Sequence, residues 1–307
     1  MRFFRGLILL MLILVLSSLN VDAKENPYIK FAPKWSVGEI TKYSMTMGRV
    51  RNGITSFSKA DISITVVEKT KEYYTLEWKY EDIELGANAP NEQQVEALLN
   101  LVKGLTIRYT TDEYGAFQRV VNQDEVKAFM KKSTELVVQR ITDEKLKNVL
   151  VQLVDSWLEN EQFINLVVAK ELSLFHNPYI YGTKLPIGKP YAEEVTLFNP
   201  LGLQQPLVGN VRLLAQQSKD LIYIEVEQEL DKEKSAKSIM EFMNRLLKDI
   251  SGKQLSEEQK INSVEIKDSF RYAFKVYDNW LAKCSITRKV SIAGQERIDT
   301  IEFIRRE

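Results

Sequence analysis

Apolar and polar residues alternate with a period of two along much of this chain, most clearly in Ile64–Glu81, ITVVEKTKEYYTLEWKYE. Tyr74, Leu76, Trp78 and Tyr80 fall on one side, Thr75, Glu77 and Lys79 on the other, which predicts a half-buried antiparallel strand. A degraded copy recurs 148 positions on, at Arg212–Glu229, with Ser218-Lys219-Asp220 standing for the Thr70-Lys71-Glu72 turn. A second echo places Phe270-Arg271-Tyr272, Tyr277 and Trp280 at a constant offset of 163 from Ile107-Arg108-Tyr109, Tyr114 and Phe117. Both echoes point to a duplication; the alternative is a single α+β domain without one.

Taken in order, the pattern predicts an extended lead-in at Asn26–Lys34, a strand at Val37–Met47, and a hairpin turn at Arg51-Asn52-Gly53, where Asn-Gly accepts positive φ. A loop at Gly86–Pro90 precedes a helix capped by Asn91 and ended by Gly104, then a hairpin of Leu105–Thr111 and Ala116–Val121. Apolar stripes at helical spacing follow: Val126, Phe129, Met130 and Val137; then Leu146 to Leu158 after Thr142; then Phe163 to Leu172. Breaker-rich loops occupy His176–Pro190 and Asn199–Pro206, on either side of a strand at Tyr191–Phe198. A helix at Asp231–Ile250 and strands at Asn262–Val276, Trp280–Ile292 and Glu296–Ile304 close the reading. The expected fold is α+β: two similar antiparallel β-meander lobes, each with a helix, separated by a central helical block. The expected segments are a signal peptide at 1–23, a first β-rich lobe at 24–122, the helical block at 123–175 and a second β-rich lobe at 176–307.

Arg2 and Arg5, the uncharged run Gly6–Leu19 and Val21-Asp22-Ala23 make the basic, apolar and small-residue order of a secretory signal. The run is 14 residues, short of the ~20 that cross a bilayer, so cleavage after Ala23 is expected, with no transmembrane helix in the mature chain. No Cys follows the run, which argues against a lipoprotein. The expected location is the periplasm or the cell exterior. Lys and Arg total 42, as do Asp and Glu, so net charge recruits neither nucleic acid nor an anionic membrane. Cys284 is the single cysteine, which excludes an internal disulfide and fits a bacterial export product.

Candidate chemistry is sparse. His176 is the only histidine, and Cys284 is 108 residues from it, so no nucleophile and base arrangement is written in the sequence. Neither a zinc set nor a phosphate-binding or nucleophile-elbow motif is present, and no metal or cofactor is expected. Carboxylates such as Glu81-Asp82-Glu84 and Glu257-Glu258 leave a carboxylate-based hydrolase open. The richest cluster outside the predicted core is aromatic: Phe175, Tyr179, Tyr181, Tyr191 and Phe198, in or beside the two breaker-rich loops, where rings are common ligand contacts.

The hairpin Tyr109, Asp112, Gly115 and Phe117, with the strand meanders around it, resembles exported bacterial domains of unknown function, and the expected sheet with its helices is similar to lipoprotein-carrier folds of the bacterial envelope. That resemblance implies no catalytic residues. The favoured expectation is a non-catalytic binding or carrier module taking an apolar small molecule, lipid or peptide. A carboxylate hydrolase and a purely structural or interaction protein are the alternatives.

Overall fold

The computed structural model describes residues 28–51, 53–86, 102–139, 141, 144, 147–148, 151–152, 155, 169–177, 179–197, 207–249, 256–292 and 294–306. A short strand β1 (Tyr28–Lys30) leads into β2 (Ile40–Arg51), β3 (Ile54–Lys69) and β4 (Tyr73–Leu85), then β5 (Thr106–Asp112) and β6 (Phe117–Val120). Helices α1 (Gln123–Val138) and α2 (Ala169–Phe175) precede β7 (Lys184–Pro186), β8 (Pro190–Leu197), β9 (Leu207–Gln217) and β10 (Leu221–Leu230). Helices α3 (Ala236–Asp249) and α4 (Glu257–Asn262) then lead to β11 (Val264–Lys275), β12 (Leu281–Ile292) and β13 (Gln295–Arg306).

Eleven strands form one antiparallel sheet in the order β6-β5-β4-β3-β2-β13-β12-β11-β10-β9-β8. This corrects the expected α+β fold of two lobes around a central helical block: the protein is mostly β, and both meanders belong to one sheet. The seam is β2 against β13, with Met45 opposite Phe303 and Arg49 opposite Asp299. Separate lobes would leave each of these strands with a row of unpaired backbone N–H and C=O groups. Pairing them satisfies both rows, across a sequence separation of 250 residues that local periodicity cannot register. Of the expected helical block, α1 and α2 are helices, whereas most of the stripes between them, like the helix expected at Asn91–Gly104, lie outside the described residues.

Locally the turn chemistry holds. Gly53 has φ +77° and closes the β2–β3 hairpin with Arg51 opposite Ile54. Gly115, at φ +96°, leaves no room for a Cβ, which would meet the Tyr181 ring at 2.7 Å. Helix α4 was not read from the pattern, although Ser256-x-x-Gln259 is a capping-box signature. Ser256 Oγ accepts from the Gln259 amide, and Gln259 Oε1 accepts from the Ser256 amide. Ser256→Ala is expected to cost about 1 kcal/mol, read as a lower urea midpoint with an unchanged m-value.

The sheet is curled, and the contacts of one segment prove it. Tyr109 of β5 bonds His176 Nε2 at 2.8 Å, while Tyr272 of β11 donates to the Leu174 carbonyl at 2.9 Å and accepts from Asn177 Nδ2 at 3.1 Å. Strands β5 and β11 are six inter-strand steps apart, roughly 29 Å in a flat sheet at about 4.8 Å per step. Both nevertheless touch residues 174–177, so the face bearing Tyr109 and Tyr272 is concave. The same segment reaches β6, where the Phe117 amide donates to the His176 carbonyl, and its continuation reaches β9, where the Gly188 amide donates to the Ala215 carbonyl. Strand β1, expected only as a lead-in, pairs with β7 from the expected loop, so these two pieces act together as a strap across the concavity.

Under the strap lies the densest core. Trp35 stacks on Trp280 at 4.3 Å, and Phe175 meets Tyr43, Trp78 and Phe303 edge-on at 5.0–5.5 Å. All of these rings are fully buried.

Candidate binding face

Away from the strap, two kinds of side-chain row cross the concave face. The first is polar. Gln228 of β10 lies opposite Asp268 of β11, Asp268 opposite Arg288 of β12, Arg288 opposite Asp299 of β13, and Asp299 opposite Arg49 of β2. Directly opposed residues of antiparallel strands share a face. Each of these also shares the phase of its own strand's core positions, such as Phe270, Ile286, Phe303 and Met45, so the charges point inward.

Asp268 is buried and accepts two bonds from Arg288, Nε to Oδ1 at 2.7 Å and Nη2 to Oδ2 at 2.5 Å. A buried charge is tolerated only with such a partner, because losing either group strands the other in a low-dielectric site. Asp299 takes Arg49 Nε and Arg297 Nη2, each at 2.7 Å. Burial pushes the Asp299 carboxyl up, but the two arginines outweigh it and hold the group below the usual carboxylate range. The row opens toward one end: the side chains of Asp268, Arg288 and Arg49 are 2%, 16% and 55% exposed.

The neighbouring rows are largely apolar. On the strap side stand Val226, Phe270, Ile286, Ile301, Met47 and Ser58; on the other side stand Ile266, Val290, Arg297, Arg51 and Ile54. Met47, Ile301 and Val290 are only half-buried. Arg51 is exposed and, among the described residues, has no ion-pair partner. Among the described residues of these rows, four inward arginines (Arg49, Arg51, Arg288, Arg297) thus stand with two aspartates, and with Glu193 where the row continues through Val211 to β8, beside hydrocarbon that still meets solvent. Guanidinium forks match carboxylate and phosphate oxygens, and the apolar row matches a hydrocarbon chain. By contrast the outer-face pairs, such as Arg271–Glu225 and Lys283–Glu302, are well exposed and of the kind that contributes little.

The aromatic residues singled out in the sequence do not meet at one mouth. Phe175 and Tyr181 are core rings under the strap, Tyr179 is half-buried beside them, Tyr191 is 38% exposed on β8, and Phe198 lies outside the described residues. His176 and Cys284 are buried, and burial pushes the Cys284 thiol up, away from thiolate chemistry. Among the described residues no group of three or more His, Cys, Asp or Glu could hold a metal ion, and no helix is long and apolar enough to cross a membrane. Sequence reasoning passed over the polar row, though a signal was present. Gln228, Asp268, Arg288 and Asp299 each interrupt the apolar phase of an otherwise regular strand.

A curled antiparallel sheet with a polar row inside it defines a β-rich protein with a concave face. No protein-family model matches the chain, and no curated protein matches it. Among solved structures, the chain is similar to one concerning lipid–protein interactions in lipovitellin, at 8% identity and TM-score 0.47, over 89% of this chain but 26% of that one. It is also similar to Rv2717c from M. tuberculosis (9% identity, TM-score 0.26, 87% of this chain and 91% of that one). The MucA/MucB complex of Pseudomonas aeruginosa follows at 7% identity and TM-score 0.13, over 88% of this chain and 89% of that one.

Proposed function

We propose that this chain is an exported, non-catalytic binding or carrier module whose ligand is an amphiphile with an anionic head. The observation that carries the reading is half-buried hydrocarbon on both sides of the polar row of the concave face, Met47 and Ile301 on the strap side and Val290 on the other, beside Arg49, Arg51 and Arg297. The hydrocarbon part of the ligand lies along the apolar row and its head group takes the arginine forks. Export is supported by the basic, apolar and small-residue order of residues 2–23. The inward carboxylates give the hydrolase alternative no support, since Asp268 and Asp299 are each held by arginine rather than poised to exchange a proton.

Titration with cis-parinaric acid, a fluorescent fatty acid, tests this. The unmodified protein is expected to give saturable fluorescence. Arg51→Glu with Arg297→Glu is expected to weaken binding by at least about tenfold, because each lost hydrogen bond to a charged group is worth roughly 1.5 kcal/mol or more. Absence of saturable binding, together with only the bare polypeptide mass in native mass spectrometry of protein from its own source, would overturn the reading.

A further inference from the structure

The eleven-stranded sheet has two outer edges, β6 and β8, and they are treated differently. At β6 the strap lies alongside, and the Phe117 amide donates to the His176 carbonyl. Strand β8 pairs with β9 and, among the described residues, with no further strand. Residues 188–194 are exposed without interruption, in both phases of the alternation, so neither face of this stretch is covered.

The bonding phase of β9 fixes which backbone groups of β8 are left over. In an antiparallel pair each residue directs its N–H and its C=O to the same side, and successive residues alternate sides. Val208 directs both away from β8: its amide donates to Ser235 Oγ, and its carbonyl accepts from the Asp231 amide that follows β10. The odd-numbered residues of β9 therefore face β8, in keeping with the Gly188 amide donating to the Ala215 carbonyl. Leu213 and Val211 lie opposite Tyr191 and Glu193, which thus bond β9, while Pro190, Ala192 and Glu194 turn their backbone groups to the open edge. Pro190 fits there because its missing N–H falls on the solvent side. An edge that offers the Ala192 and Glu194 amides and three carbonyls is a template for another strand.

The side chains say which strand. Lys189 and Glu193 flank Tyr191, whose hydroxyl donates to Glu193 Oε2 at 2.7 Å. Neither Lys189 nor Glu193 has an ion-pair partner among the described residues. Glu194, in the opposite phase, is held by Lys234. A uniformly basic strand would set a cation against Lys189, and a uniformly acidic one would set a carboxylate against Glu193. A second copy of β8 run antiparallel matches both charges at once.

We infer that β8 is a dimer edge, at which two copies of this chain pair β8 with β8 about a two-fold axis through Ala192 and join their sheets edge to edge. At the axis the two Ala192 residues exchange N–H and C=O, and each Glu194 amide donates to the Pro190 carbonyl of the other copy. Alanine at the axis keeps bulk away from the point where the copies come closest. Glu193 then stands opposite Tyr191 of the second copy and within diagonal reach of that copy's Lys189, and the two-fold axis repeats both contacts. The assignment is independent of the concave face and its ligand.

Sedimentation velocity of the full chain over a dilution series tests it. A reversible dimer is expected. Glu193→Lys is expected to weaken it at least about tenfold, because both symmetry-related contacts turn repulsive together. Adding Lys189→Glu to that variant restores the opposite charges and with them the dimer. Ala192→Pro removes the N–H at the axis, which the monomer does not use, so the dimer is lost with the thermal midpoint unchanged. A monomer at every concentration, a dimer indifferent to Glu193→Lys, or a loss that the charge exchange fails to rescue would each overturn the inference.

Discussion

Between pH 6.5 and pH 3 the protein is expected to lose roughly 4 to 5 kcal/mol of stability through His176 alone. The ring is fully buried among Trp35, Phe175 and Tyr181, at centroid distances of 4.9–5.7 Å. Its Nδ1 faces the Gly115 carbonyl at 3.0 Å, which can only accept, so the proton sits there and Nε2 accepts from the Tyr109 hydroxyl at 2.8 Å. Burial lowers the imidazole to about pH 3, and the bond to Gly115 offsets only part of that. The unfolded chain takes up a proton near pH 6.5 that the folded chain refuses until about pH 3. Stability from this group is therefore complete above the unfolded value and is lost as pH falls through the window. Urea denaturation at pH 7, 5 and 4 checks this against His176→Gln, whose amide can keep both hydrogen bonds without titrating. The variant should lose distinctly less stability on acidification; parallel losses in both proteins would contradict the assignment.

Trp78→Ala is expected to cost about 3 to 5 kcal/mol, a fall in melting temperature on the order of 10 °C for a protein of this size. Trp78 is fully buried on the concave face, where it meets Phe175 of α2 at 5.5 Å and Phe303 of β13 at 6.0 Å. It therefore joins both halves of the sheet to the segment that straps them, and no single neighbour can relax into the space left by an indole. Calorimetry is the check: a shift under about 2 °C would mean that the ring is not part of the cooperative core.

The candidate face was only partly legible in the sequence. Asp268 stands in the phase of Ile266, Phe270 and Tyr272, and Arg288 in the phase of Cys284, Ile286 and Val290, so each is visible as a charge at an apolar position. What alternation cannot reveal is that two such interruptions, on adjacent strands, fall opposite each other. That depends on register. The aromatic loop residues illustrate the converse: Phe175 and Tyr181 stood in or beside a breaker-rich loop, and only the curl of the sheet turned that loop into a strap with its rings in the core.

Period-two alternation by itself determined the strands from β2 to β6 and from β8 to β13, because a half-buried strand must segregate its side chains by face; it did not mark β7, three residues inside the breaker-rich loop. Turn chemistry determined the hairpin at Gly53, because few residues accept its positive φ. Helical spacing likewise determined α3, whose Ile239 and Met243 are buried as the stripe requires. The tertiary structure alone decided that β2 closes on β13, that β1 finds β7, and that His176 is held neutral in the core. Each of these joins residues more than 60 positions apart. Such contacts are set by satisfying the backbone of exposed edges and filling a concave surface, quantities that exist only once distant segments have met.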